Sequence, residues 1–297
     1  MFSGSMVAVV TPMSAEGGLD WSAWERLLDF HLREGSDGIV VAGTTGESPA
    51  LELHEIEELT RRAVARVAGK TRIIVGAGTN DTTSTVARTR ALSKLGVDGV
   101  MLVTPYYNKP PQEGLYKHFM MAADASSAPV ILYNVPSRTA VDLLPNTVAR
   151  LAKHAQIVAL KEAVDTSSRA RELRVLCPPN FTLLSGDDAT AVEMMSLGAS
   201  GVISVSANVA PRRMHDICAA ALAGNWQIAR DLDASLQPLH RDLFVEANPI
   251  PVKWALHRMG LIGNGIRLPL VELAAVNRDS VIRAMRAAGV EMKDQAA

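Results

Sequence analysis

Eight short, β-rich apolar runs, each followed by a stretch of helical periodicity, predict an α/β fold, a closed (β/α)8 TIM barrel over residues 1–224. Two further observations support it. The runs are apolar at nearly every position, as expected of parallel strands covered on both faces. The alternation also stops after residue 224, where helical patterns follow without a low-complexity linker. Residues 225–297 are therefore expected to form a small all-helical C-terminal domain docked tightly on the barrel.

The strand runs are SMVAVVTP (5–12), GIVVAGTT (38–45), RIIVGAGT (72–79), GVMLVTPY (99–106), PVILYNVP (129–136), IVALKEA (157–163), FTLLSGDD (181–188) and GVISVSAN (201–208). Between the first two lies DWSAWERLLDFHLREG (20–35), with Asp20 placed to cap a helix and Gly35 to stop it. LHEIEELTRRAVARVAG (53–69) repeats apolar residues at helical spacing and also ends on glycine. LLPNTVARLAKH (143–154) carries Pro145 near its first turn, where a missing N–H costs nothing. In the C-terminal part, 225–244, 250–260 and 270–289 read as helices. A doubly wound open sheet is the alternative architecture. It is disfavoured because VGAGTND (75–81) has G-x-G but no third glycine and no suitably placed acidic residue.

The bulk numbers exclude several function classes. Apolar residues make up 48% and charged residues 21%, a globular balance. A net charge of −1 gives no electrostatic case for nucleic acid or an anionic membrane, and 4% aromatics argues against stacking platforms for single strands. No apolar run reaches spanning length, and MFSGSMVAVVTPM lacks the basic start and long apolar core of a signal peptide. The two cysteines, Cys177 and Cys218, have neither metal spacing nor a disulfide framework. A cytoplasmic protein with reduced cysteines is expected.

In a barrel of this kind the site lies at the carboxyl ends of the strands. Those ends carry Thr44, Thr45 and Glu47 after the second run, Tyr106 and Tyr107 after the fourth, and Tyr133 and Arg138 at and after the fifth. Lys161 closes the sixth, and Ser185-Gly186-Asp187-Asp188 the seventh. Taken singly, each has an ordinary structural reading: Thr44 and Thr45 as caps, Tyr133 as a core ring, Arg138 in a surface ion pair. A lysine ending an apolar strand either snorkels to water or serves as a nucleophile. The convergence of hydroxyls, one lysine and one arginine on one end of the barrel favours chemistry. Partial desolvation lowers an amine from about 10.4 and leaves some of it neutral near pH 7. A neutral amine adds to a ketone to give an iminium, an electron sink for the adjacent carbon. Hydroxyls can move the protons, and a guanidinium fork suits a carboxylate. No His/Asp/Glu cluster falls at these ends, so no metal is expected.

At these residues the chain resembles the dihydrodipicolinate synthase family, nearly end to end. The motifs are MFSGSMVAVVTPM, GTTGESPAL, VTPYYNKPPQEGLYKHF, ILYNVPSRTAVDLLP, LKEA, LLSGDDA, GVISVSANV and LFVEANPIPVKWAL. The resemblance implies condensation of pyruvate with L-aspartate 4-semialdehyde to 4-hydroxy-tetrahydrodipicolinate, on the diaminopimelate route to lysine, without a cofactor. It implies that Lys161 forms the Schiff base and that Tyr133 shuttles protons, linked through Thr44 to Tyr107. Thr45 would hold the pyruvate carboxylate and Arg138 that of the second substrate, while Gly186 and Ile203 would give main-chain contacts. Tyr107 would reach a neighbouring subunit's site in a homotetramer, a dimer of dimers. Sugar-acid or N-acetylneuraminate aldolases and a non-catalytic pyruvate or lysine sensor are the competing readings.

The chain departs from relatives that bind inhibitory L-lysine in a cleft between subunits. Two histidines and a glutamate that help line that cleft correspond here to Leu53, Ile56 and Ser84, whereas Ser48, Gly78, Asn80 and Tyr106 are retained and Pro49 replaces a small residue. Weak or absent inhibition is expected.

Overall fold

The computed structural model describes residues 2–164 and 166–293. All eight strands form: β1 (Gly4–Ala8), β2 (Gly38–Val41), β3 (Arg72–Gly76), β4 (Gly99–Val103), β5 (Val130–Asn134), β6 (Ile157–Glu162), β7 (Thr182–Ser185) and β8 (Gly201–Ser204). They pair in parallel in chain order, and β1 closes on β8 with Met6 opposite Ile203. Most stop several residues short of the carboxyl end of the apolar run. The β2 run continues to Thr45, but pairing ends at Val41 because Ala42 turns the chain with φ 52. The polar residues at the run ends therefore sit in the turns above the ladder.

Period-two alternation sorts the strand residues into two layers. Val7, Val41, Val75, Leu102, Leu132, Leu160 and Val202 face the helices and join the main core. Met6, Ala8, Val40, Ile74, Met101, Ile131, Ala159, Leu184 and Ile203 fill the barrel interior, with Phe2 packed in the same cluster. A Cβ on Gly99 would lie 2.8 Å from the Phe2 ring, so only glycine admits that plug. With Ala159 inward and Leu160 outward, Lys161 points into the barrel and Glu162 away from it.

The helix Trp21–Glu34 starts where Asp20 accepts from the Ala23 N–H at 2.9 Å and stops at Gly35, φ 80. Leu53–Val67 opens with a reciprocal Glu52/Glu55 capping box and ends on Ala68, φ 46, before Gly69. Pro145 occupies the first turn of Pro145–Leu151.

Two C-terminal expectations need correction. The stretch 225–244 is not one helix but two, Trp226–Ala234 and Gln237–Asp242, interrupted at Ser235 and Leu236; Pro238, in the first turn of the second helix, has no N–H to donate back to the Ala234 carbonyl. The last helix starts at Ala275 rather than at 270. Its start is set from a distance: one oxygen of Glu246 accepts from the Ala274 N–H at 3.0 Å and from the Asn277 amide at 2.7 Å.

These helices are tied to the carboxyl ends of the strands by buried polar contacts. Lys253 pairs with Glu47 at 2.5 Å, and both are at most 4% exposed. Arg267 grips both oxygens of Glu55, and its backbone N–H reaches Glu47. His240 meets the Ser206 hydroxyl at 2.8 Å and Asp233 at 3.3 Å. Removing one member of a buried ion pair typically costs about 3–5 kcal/mol, so Glu47–Lys253 fixes the β2 turn in place.

Candidate active site

Lys161 is 5% exposed, inside the top of the barrel. Its register partner on β5 is Tyr133, and its Nζ lies 4.2 Å from the centre of the Tyr133 ring. Burial pulls the amine down to about 8; Asp188 opposes that shift and Arg138 adds to it. The Asp188 carboxylate is held by the backbone N–H groups of Val205 and Ser206, both at 2.9 Å, and its second oxygen accepts no hydrogen bond from a described residue. Burial pushes the Tyr133 hydroxyl up to about 12, while Arg138 and a hydrogen bond with the Thr44 side chain pull the other way. Near neutral pH the site therefore combines a partly neutral amine with a phenol that keeps its proton.

The β2 turn places the two threonines differently. The Thr44 side chain meets Tyr133, whereas Thr45 is buried and its hydroxyl accepts from the Asn248 amide at 3.0 Å. Glu47 closes the turn with φ 58, held there by Lys253. Arg138, on the short helix Pro136–Thr139, is exposed and directs its guanidinium to the Asn248 carbonyl at 3.5 Å. Gly186 donates to the Glu162 carbonyl at 2.7 Å, and a Cβ there would fall 2.9 Å from that of Ala163.

A cavity of about 580 Å³ opens over Lys161, lined by Thr44, Thr45, Tyr133, Arg138, Gly186, Glu246 and Asn248. Of the eight residues singled out in the sequence, six line this cavity. Ile203 does not; it is 1% exposed in the interior layer below. Tyr107 is 86% exposed, with φ 75, and does not line the cavity of its own chain. The sequence reading assigned nothing to Glu246, Asn248 or the Asp188 carboxylate. The available signals were the NPIPVKW stretch and a doubled aspartate after β7.

A second cavity of about 310 Å³ shares Thr44 and Arg138 and adds Ser48, Pro49, Gly78, Thr79, Arg88 and Tyr106. Leu53, Ile56 and Ser84 do not line it within one chain, and Ile56 is wholly buried. Among the described residues, no group of three or more His, Cys, Asp and Glu side chains could hold a metal, and no helix is long and apolar enough to cross a membrane. Cys177 and Cys218 are buried and unpaired, with burial pushing both thiols up.

A parallel barrel whose interior holds a desolvated lysine under a tyrosine, beneath a cavity with a guanidinium at its side, is the arrangement of a Schiff-base-forming lyase. The comparisons narrow that class. The model of the dihydrodipicolinate synthetase family matches residues 1–288. The 4-hydroxy-tetrahydrodipicolinate synthase of Ectopseudomonas mendocina is 55% identical over 98% of this chain and 99% of its own. The crystal structure of the chloride-inhibited dihydrodipicolinate synthase of Acinetobacter baumannii, complexed with pyruvate, superposes with a TM-score of 0.96 at 46% identity, covering 98% of this chain and 100% of that one. That of Aquifex aeolicus gives 0.96 at 41% identity over 99% and 100%. The chain belongs to the dihydrodipicolinate synthetase family.

Proposed function

We propose that the protein condenses pyruvate with L-aspartate 4-semialdehyde to give 4-hydroxy-tetrahydrodipicolinate. The observation that carries this reading is the Lys161 amine, lowered to about 8 and stacked on Tyr133. In its neutral form the amine adds to the pyruvate ketone, and loss of water gives an iminium. Tyr133 gives its proton to the departing water and takes one from the methyl carbon, whose electrons the iminium accepts; the resulting enamine attacks the aldehyde carbon of the second substrate, and the new alkoxide takes the proton back from Tyr133. The substrate's own amine then displaces Lys161, closing the ring and freeing the enzyme.

The residue roles follow from placement. Tyr133 moves these protons, with Thr44 as its hydrogen-bonded partner. Thr45, fixed by Asn248, and the Gly186 main chain hold pyruvate, and Ile203 supports the floor beneath it. Arg138 takes the carboxylate of the aldehyde substrate. Tyr107 serves the site of a neighbouring chain, a reading supported by its 86% exposure and left-handed backbone. On this reading the working assembly is a homotetramer built as a dimer of dimers, acting in the cytoplasm. The helical part from residue 225 acts as a separate C-terminal unit that roofs the cavity, a reading supported by Glu246 and Asn248 lining it.

A coupled assay with pyruvate tests the proposal. Turnover with L-aspartate 4-semialdehyde well above that with sugar aldehydes supports it. Preference for an aldehyde that carries no carboxylate overturns it.

A further inference from the structure

The cavity over Lys161 carries charge of both signs. Arg138 lines it, and so does Glu246, two residues before the Asn248 carbonyl that the Arg138 guanidinium approaches. Glu246 is half-buried and fixed: one oxygen is occupied by the Ala274 N–H and the Asn277 amide, at 3.0 and 2.7 Å. Its second oxygen accepts no hydrogen bond from a described residue. The cavity's other carboxylate, Asp187, is engaged with the N–H and hydroxyl of Thr190 at 3.0 and 2.8 Å.

We propose that Glu246 determines specificity for the aldehyde substrate by accepting its α-ammonium, while Arg138 holds the α-carboxylate of the same carbon. This rests on the function proposed above and deepens it. An α-amino acid presents a carboxylate and an ammonium on one carbon, and a guanidinium and a carboxylate that line one cavity, the guanidinium reaching a carbonyl two residues along from the carboxylate, match that pair. The aldehyde, two carbons farther on, is then free to lie over the enamine on Lys161. The same nitrogen closes the ring once the ammonium has passed a proton to the carboxylate it pairs with, so fixing it serves the last step as well as binding. Pyruvate has no amine, and loading of Lys161 does not involve Glu246.

Glu246→Gln keeps an oxygen for Ala274 and Asn277 and removes only the charge. The test compares L-aspartate 4-semialdehyde with succinic semialdehyde, which has the same chain and carboxylate but no amine. Loss of a charge-assisted hydrogen bond is expected to raise KM for L-aspartate 4-semialdehyde about 10- to 100-fold. The inhibition constant of succinic semialdehyde, and borohydride trapping of pyruvate, should change less than about threefold, since neither partner uses the lost charge. A parallel loss for both aldehydes would mean that Glu246 only supports the fold, and an unchanged KM would mean that it does not meet the amine. An amine-selective loss in Asp187→Asn but not in Glu246→Gln would move the role to Asp187. Any of these overturns the inference. Wild-type protein that turns over no L-aspartate 4-semialdehyde would instead refute the parent reading, a separate outcome.

Discussion

Tyr133 and Lys161 are register partners on adjacent parallel strands, and the Lys161 Nζ sits 4.2 Å from the Tyr133 ring centre. The pairing is a consequence of the ladder. Ile131 opposite Ala159 points inward one step below, so the next inward step brings the phenol and the amine together. Both groups are desolvated by the same enclosure, which lowers one and raises the other.

On the proposed mechanism the Lys161 amine attacks pyruvate only when neutral. With Lys161 at about 8, kcat/KM for pyruvate should climb about tenfold per pH unit below that value and level off above it. Two substitutions should move this limb in opposite directions. Asp188 favours the ammonium, so Asp188→Asn, which keeps an oxygen for Val205 and Ser206, should shift the limb to lower pH. Arg138 disfavours the ammonium, so Arg138→Ala should shift it to higher pH. Shifts of the same sign would disprove this electrostatic account.

Arg138→Ala should also separate the two substrates. The residue is exposed beyond Tyr133, beside Asn248, so pyruvate trapping should persist at saturating pH while KM for the aldehyde rises at least tenfold, the scale of a lost charge-assisted pair. Steady-state kinetics with each substrate varied in turn checks this. Equal losses in trapping and turnover would contradict it.

Much of this was legible before the fold was seen. Continuous apolar runs marked all eight strands, and Asp20 and Gly35 marked a helix because their signals are local. Lys161 stood out because charge at the end of a buried strand has few uses. What stayed hidden depends on distant pairing. The last helix begins where Glu246 caps it, and Glu47 is held by Lys253, 206 residues away. Neither relation leaves a periodic trace. Pro238 was visible in the sequence, but amphipathic spacing on either side concealed the break that it makes.

Tyr107→Phe should lower turnover by about 100-fold, the usual scale for a proton-transfer group, with little effect on pyruvate binding. Mixed oligomers of Tyr107→Phe and Lys161→Ala should regain activity, because each supplies what the other lacks. Verified mixed oligomers without any recovery would assign Tyr107 to its own chain.

L-Lysine should inhibit weakly. Leu53 and Ile56 offer no polar partner and Ser84 no charge, and a loss of about 3 kcal/mol is more than a hundredfold in affinity. An activity titration should show half-inhibition above about 1 mM, and tighter inhibition would contradict the expectation. Ile56 is wholly buried, so restoring inhibition with Leu53→His, Ile56→His and Ser84→Glu together also requires an imidazole to be accommodated in the core.

The central claim is that Lys161 is the amine that bonds to pyruvate. Borohydride reduction in the presence of pyruvate, followed by mass spectrometry of the intact chain and its peptides, tests it most directly. One pyruvate-derived adduct per chain should appear, on the peptide containing Lys161, and Lys161→Arg should give none because a guanidinium stays protonated. An adduct on another lysine, or an unmodified wild-type chain, would contradict the account.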